Sequence, residues 1–173
     1  MVTLNEHSFV KAIHRLLPKE VYRWKIHDKF TGGVPDAYYE GPAGSLWIEY
    51  KYLKTLPKKG ETALRIELSQ LQNEWLNRAN DNKIDAWVVI GSEKKCLVLR
   101  NKDWTLPIST NYYQSYSVTN KDLVALISSK TLKRKPKNES TTQKNTGQSC
   151  STARKPPQSV EAPKRRRRDE PKR

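Results

Sequence analysis

The chain has 173 residues, 35% of them hydrophobic, and a net charge of +15, enough for one ordinary domain plus a stretch that adds little to a core. Residues 130–173 carry 15 Lys and Arg against four acids, a net of +11, and hold no Trp, Tyr or Phe, which leaves +4 for residues 1–129. No long apolar run or amphipathic membrane segment appears, so a membrane partner is not expected; the charge favours a polyanion, of which nucleic acid is the commonest.

The N-terminus, MVTLNEHSFV, is polar where a signal peptide would be apolar. Cys96 and Cys150 lie in unlike surroundings and form no disulfide or zinc pattern. An intracellular setting is therefore expected, cytoplasmic for a bacterial or phage protein and nuclear for a eukaryotic one.

Residues 5–17 read as an amphipathic helix, with Phe9, Ile13, Leu16 and Leu17 at helical spacing and Pro18 ending the pattern. A strand is expected over 21–26, then a break at Thr31-Gly32-Gly33. Two extended segments, 34–40 and 45–53, follow around the turn signal Gly41-Pro42-Ala43-Gly44. Residues 54–63 read as a basic loop with no feature that fixes its conformation. A helix is expected from about Ser69 to Asn80, burying Leu71, Trp75, Leu76 and Ala79, then strands at 85–90 and 94–100. An aromatic-rich stretch at 104–117 fits an interface or a cover for the core, and a short helix is expected at 120–129. From Lys130 the composition predicts a disordered basic tail, giving domains 1–129 and 130–173. The order α-β-β-β-α-β-β-α predicts an α/β fold in which helices flank a mixed sheet.

The hairpin carries the chemistry. A turn centred between Pro42 and Ala43 pairs residues whose numbers sum to 85, so Asp36 faces Glu49 and Tyr38 faces Trp47. Side chains alternate along a strand, which puts Lys51 on the same face. Two opposed carboxylates repel unless something neutralises them, and Mg²⁺ is suited to carboxylate and water oxygens. A solvated strand face is the plainer reading, but Tyr38 and Trp47 beside the acids favour a sheltered cleft. Such a cluster fits phosphodiester hydrolysis, the lysine steadying charge on the phosphate or orienting water.

Val34-Pro35-Asp36, twelve residues, then Glu49-Tyr50-Lys51 resembles the PD-(D/E)XK nuclease signature. The wider run GGVPDAYYEG…LWIEYKYL…LSQLQNEWL…AWVVIG is most similar to the VRR-NUC branch, related to archaeal-type Holliday junction resolvases, over roughly residues 6–92. The resemblance implies a restriction-endonuclease-like fold of order αβββαβ. It also implies Asp36 and Glu49 as metal ligands assisted by the Tyr50 backbone carbonyl, Lys51 as the catalytic lysine, Glu6 as a helical acid completing the metal site or binding its waters, and Gln72 as the helical glutamine. Independently of the family, Glu6 also fits a first-turn acid, and Gln72 fits a capping box with Ser69. Gly32-Gly33 fits either a turn or a close approach to a nucleic-acid backbone.

Lys25, Lys29, Lys54, Lys58 and Lys59 flank the motif and are candidates for tracking phosphates, as are Arg165, Arg166, Arg167 and Arg168 in the tail. His27 and Asp28 are read as solvent- or substrate-facing, and His7 and His14 show no metal spacing. No base-reading module is present, which favours recognition of DNA shape. The expectation is a Mg²⁺-dependent deoxyribonuclease, with Mn²⁺ able to substitute, cutting junction, branched or flap DNA. A homodimer would suit two symmetric cuts. Alternatives on the same fold are a restriction-like or exonucleolytic nuclease, or a non-catalytic nucleic-acid-binding protein.

Overall fold

The computed structural model describes residues 5–26 and 31–133; Lys29, His27, Asp28, Arg165, Arg166, Arg167, Arg168 and the tail expectation from residue 134 onwards lie outside them. Helix α1 (Glu6–Leu16) starts at Asn5, whose side chain accepts from the Ser8 N–H while the Ser8 hydroxyl takes the Asn5 N–H. Strands β1 (Tyr22–Lys25), β2 (Ala37–Gly41) and β3 (Gly44–Tyr52) form an antiparallel run. Helix α2 (Gln70–Asp81) then crosses over, and β4 (Ala86–Ser92) pairs parallel with β3. Strand β5 (Lys95–Leu99), a short 3-10 turn (Asp103–Thr105), helix α3 (Thr110–Tyr116), strand β6 (Val118–Thr119) and helix α4 (Asn120–Leu132) complete the fold. The result is a six-stranded mixed sheet in sequence order, with helices on both faces. The expected α/β architecture is therefore present.

The hairpin register is the one that the turn symmetry predicts, Tyr38 opposite Trp47 and Ala37 opposite Ile48. Strand alternation then divides the core. Tyr39, Ile48, Tyr50, Trp87 and Val89 pack under α1 and α4, whereas Trp47, Val88, Ile90, Leu97 and Leu99 lie on the α2 face. Within the first layer His14 Nε2 and the Tyr39 hydroxyl are 2.8 Å apart, and Tyr39 and Tyr50 share a second hydrogen bond of 2.8 Å. This buried polar chain ties α1 to β2 and β3.

Four sequence expectations need correction. Leu16 and Leu71, assigned to buried helix faces, are exposed; Val10 takes the inward place on α1, and Leu71 lies on the rim, where it meets Gly32 and Gly33. The 104–117 stretch contains α3, whose sequence TNYYQSY has no apolar period and starts on a Ser109 cap. The last helix runs past 129 to Leu132, because Thr131 is buried and its carbonyl accepts the Ala43 N–H of the hairpin turn. The loop after β3 is pinned to the start of α3: Leu64 donates to the Ile108 carbonyl, Thr110 to Thr62 and Asn111 to Gly60. A Cβ at Gly60 would collide with the Asn111 carboxamide. These partners are some fifty residues away in sequence, so no local signal marks them. No described helix is long and apolar enough to cross a membrane.

Candidate active site

The β2–β3 hairpin and the first turn of α2 bring Asp36, Glu49, Lys51 and Gln72 together. Glu49 and Lys51 project from β3 on the α2 face, and Lys51 Nζ lies 2.8 Å from Glu49 Oε1. Asp36 precedes β2, beyond the last ladder pair. Its Oδ2 accepts the Tyr50 N–H at 2.8 Å, so the carboxylate takes the place of a strand partner and is fixed against β3. The Asp36 carbonyl accepts from Ile26 on the other side. Two backbone ties therefore hold a residue that lies outside the regular ladder.

Gln72 meets two demands at once. Its Oε1 accepts the Ser69 N–H at 2.9 Å and the Ser69 Oγ accepts its N–H, a reciprocal capping box. With Oε1 held in this way, Nε2 faces the sheet and donates to Glu49 Oε1 at 2.5 Å. Lys51 Nζ is also 3.4 Å from Gln72 Oε1. The cap and the contact with Glu49 coexist in one side chain.

Glu49 is 1% exposed, and its Oε2 is buried with no hydrogen-bond partner among the described residues. Burial, reinforced by the nearby Asp36 charge and opposed by Lys51, pushes its carboxyl up to about 7. Glu6, half-buried in the first turn of α1, is also raised, by burial first and then by Asp36, with Lys51 and Lys25 opposing. Glu49 and Glu6 therefore both feel the Asp36 charge. Among the described residues no three His, Cys, Asp or Glu side chains form a cage for a metal by themselves. An orphaned buried carboxylate oxygen beside a second carboxylate still fits a hard cation that fills its remaining positions with backbone carbonyl and water oxygens.

Gly33, with φ +85°, lies against the backbone of Leu71, and a Cβ there would overlap its carbonyl group. The close approach that the Gly32-Gly33 pair makes is thus to α2, and it sets the spacing between the Asp36 segment and Gln72.

The outlying lysines are spread more widely. Lys25 is half-buried with Nζ 2.8 Å from His7 Nδ1, whereas Lys54, Lys58 and Lys59 are exposed on the pinned loop. Sequence reasoning read the Ser-x-x-Gln spacing as a capping box but missed that the box turns the Gln72 amide towards Glu49. It also missed the His14–Tyr39–Tyr50 chain, which joins residues distant in sequence and has no linear signature.

No known family profile matches the chain, and no curated protein matches it by sequence. Among solved structures, it is similar to Hjc, a Holliday junction resolvase from the archaeal hyperthermophile Archaeoglobus fulgidus. That likeness has 18% identity and a TM-score of 0.44, covering 68% of this chain and 98% of the other.

Proposed function

We propose that the chain is a metal-dependent nuclease that hydrolyses phosphodiester bonds in DNA. The observation that carries this reading is the buried, unpartnered Glu49 Oε2 beside Asp36, with Lys51 on the other oxygen of the same carboxylate. Asp36, Glu49 and the Tyr50 carbonyl would hold the ion, and Glu6 would bind its waters. Mg²⁺ is the ion the oxygen donors suit, with Mn²⁺ a substitute. Bound there, the ion would act as a Lewis acid towards the phosphate and lower the pKa of a bound water.

The protein groups have separate tasks. Lys51, held against Glu49 and Gln72, places a cation where the phosphate gathers negative charge. Gln72 Nε2 occupies Glu49 Oε1 and so leaves Oε2 as the free donor. The Tyr50 N–H fixes one oxygen of Asp36 and leaves the other available. The resemblance of the VPD…EYK motif to PD-(D/E)XK nucleases supports the same assignment, and its VRR-NUC character supports branched or flapped DNA as the substrate. The exposed lysines at 54, 58 and 59 supply phosphate contacts, and a homodimer would give paired cuts.

The test incubates the full chain and Mg²⁺ with linear, flapped and four-way DNA. Wild type should cut at least one of these, while Asp36→Ala and Lys51→Ala should bind DNA without cutting. Equal cleavage by all three proteins would overturn the assignment.

A further inference from the structure

On the α2 face the sheet bears an aromatic row beside the acids. Trp24, Tyr38 and Trp47 are directly opposed across β1, β2 and β3, so their side chains share one face. Ring centroids of Tyr38 and Trp47 are 4.8 Å apart, and Trp75 of α2 continues the row at 5.1 Å from Trp47. The inner end is covered by α2. The outer end is open: Trp24 is 53% exposed, and its side chain has no hydrogen bond or ring contact among the described residues. Tyr38 and Trp47 are each two residues from the acids, Asp36 and Glu49, on their own strands. At about 3.4 Å per residue the aromatic and acidic rows lie about 7 Å apart, roughly one step along an extended single strand.

We propose that Trp24, with Tyr38 and Trp47 behind it, is a stacking platform for an unpaired base next to the cleaved phosphodiester. This inference rests on the nuclease reading above and names its substrate class: nucleic acid with unstacked bases at the cut, such as a single strand, a flap or a branch point. Any base offers a π face to an exposed indole, but only after leaving the duplex stack. Charge fits a nucleic-acid occupant. The chain carries +15 overall, although Arg23 and Lys25 alternate with Tyr22 and Trp24 along β1 and so project from its other face. The same features disfavour a second copy of the chain, because a four-residue edge strand bearing Arg and Lys is poorly suited to edge-to-edge pairing.

The test measures binding in EDTA, so that it does not depend on cleavage. A fluorescein-labelled oligothymidylate and a blunt duplex of equal length are titrated with full-length wild type, Trp24→Ala and Trp24→Phe, each checked for folding by circular dichroism. Trp24→Ala should weaken single-strand binding about tenfold and change duplex binding little, while Trp24→Phe should retain most of the affinity. Single-strand binding should quench wild-type tryptophan emission more than that of Trp24→Phe. Unchanged single-strand affinity in Trp24→Ala, or equal losses on both DNAs, would overturn the proposal. So would a self-association, seen by sedimentation, that Trp24→Ala abolishes without altering single-strand affinity. If Mg²⁺-dependent cutting is absent but the Trp24 effect is present, the nuclease reading fails and the platform stands; intact cutting with no Trp24 effect gives the reverse.

Discussion

The Gln72 carboxamide bridges α2 and β3: its oxygen caps the helix through the Ser69 N–H, and its nitrogen donates to Glu49 across 23 residues. Orientation at the site thus depends on a helix cap. Ser69→Ala should cost about 1 kcal/mol of stability, because the Gln72 N–H loses the hydroxyl that accepts it, and should change the cleavage rate little, because the Ser69 backbone N–H still holds the carboxamide oxygen. Gln72→Ala should reduce the rate by about 10- to 100-fold, in the range of residues that support metal ligands. Single-turnover cleavage and urea melts of both variants check this. A full rate in Gln72→Ala would show that the amide acts as a cap alone.

Glu49 makes stability depend on pH in an unusual direction. Its carboxyl is raised in the fold to about 7 from the ordinary 4.5. Between these values the unfolded chain has released a proton that the folded chain keeps, so stability falls as pH rises across the window and is level above it. The contribution is on the order of 3 kcal/mol, and the raised Glu6 acts in the same direction. Thermal melts in EDTA from pH 5 to 8 should show wild type losing stability relative to Glu49→Gln. At pH 8, Mg²⁺ should raise the wild-type Tm and leave Glu49→Gln unmoved. A wild-type curve parallel to that of the variant would contradict the burial of an ionisable Glu49.

Gly33 should tolerate no side chain. Ala there would face both the positive φ and the Leu71 carbonyl group, and should destabilise the fold by about 2 kcal/mol or more. The Asp36 segment would shift away from α2, so cleavage by the folded fraction should fall as well. A variant with wild-type stability and rate would mean that the contact is dispensable.

Tyr39→Phe removes the hydroxyl between His14 and Tyr50 and leaves both without that partner. A loss of about 1–3 kcal/mol is expected, read by urea denaturation. Tyr39 lies on the opposite face of the sheet from Glu49, so cutting by the folded variant should stay near wild type.

The end of α4 gives a test by truncation. A chain ending at residue 129 loses buried Thr131, its carbonyl bond to Ala43 and the Lys130–Asp85 ion pair at 2.5 Å. Its Tm should fall well below that of a chain ending at 133, and equal melting temperatures would count against this helix end as part of the core.

The hairpin was legible because a symmetric turn and a period of two fix register without any distant information, and that register put Glu49 and Lys51 on one face; the expected Asp36–Glu49 pair lies beyond the ladder, where the Tyr50 N–H holds the Asp36 carboxylate instead. The first helix was found from its apolar spacing and the Pro18 that ends it, the second from its apolar spacing and the Ser69 cap, but spacing could not separate a buried position from the rim, hence the misplaced Leu16 and Leu71. Helix α3 was missed because its sequence has polar and tyrosine residues in place of an apolar stripe. The ordered path of 54–63 was missed because its hydrogen bonds go to 108–111, a pairing that only the tertiary fold creates. Gln72 presented two alternatives in the sequence, and the geometry accommodates both.

Strand β3 keeps structure and chemistry on separate registers. Leu46, Ile48 and Tyr50 face one layer, while Trp47, Glu49 and Lys51 face the other. Substitutions at 49 and 51 can therefore retune the proposed reaction while Leu46, Ile48 and Tyr50 stay packed on the other face. A one-residue insertion early in the strand has the opposite character: it would drive Glu49 and Lys51 into the hydrocarbon layer under α1 and α4 and turn Tyr50 onto the α2 face, losing stability and activity in a single step. The segment is open to gradual change by replacement and closed to change in length.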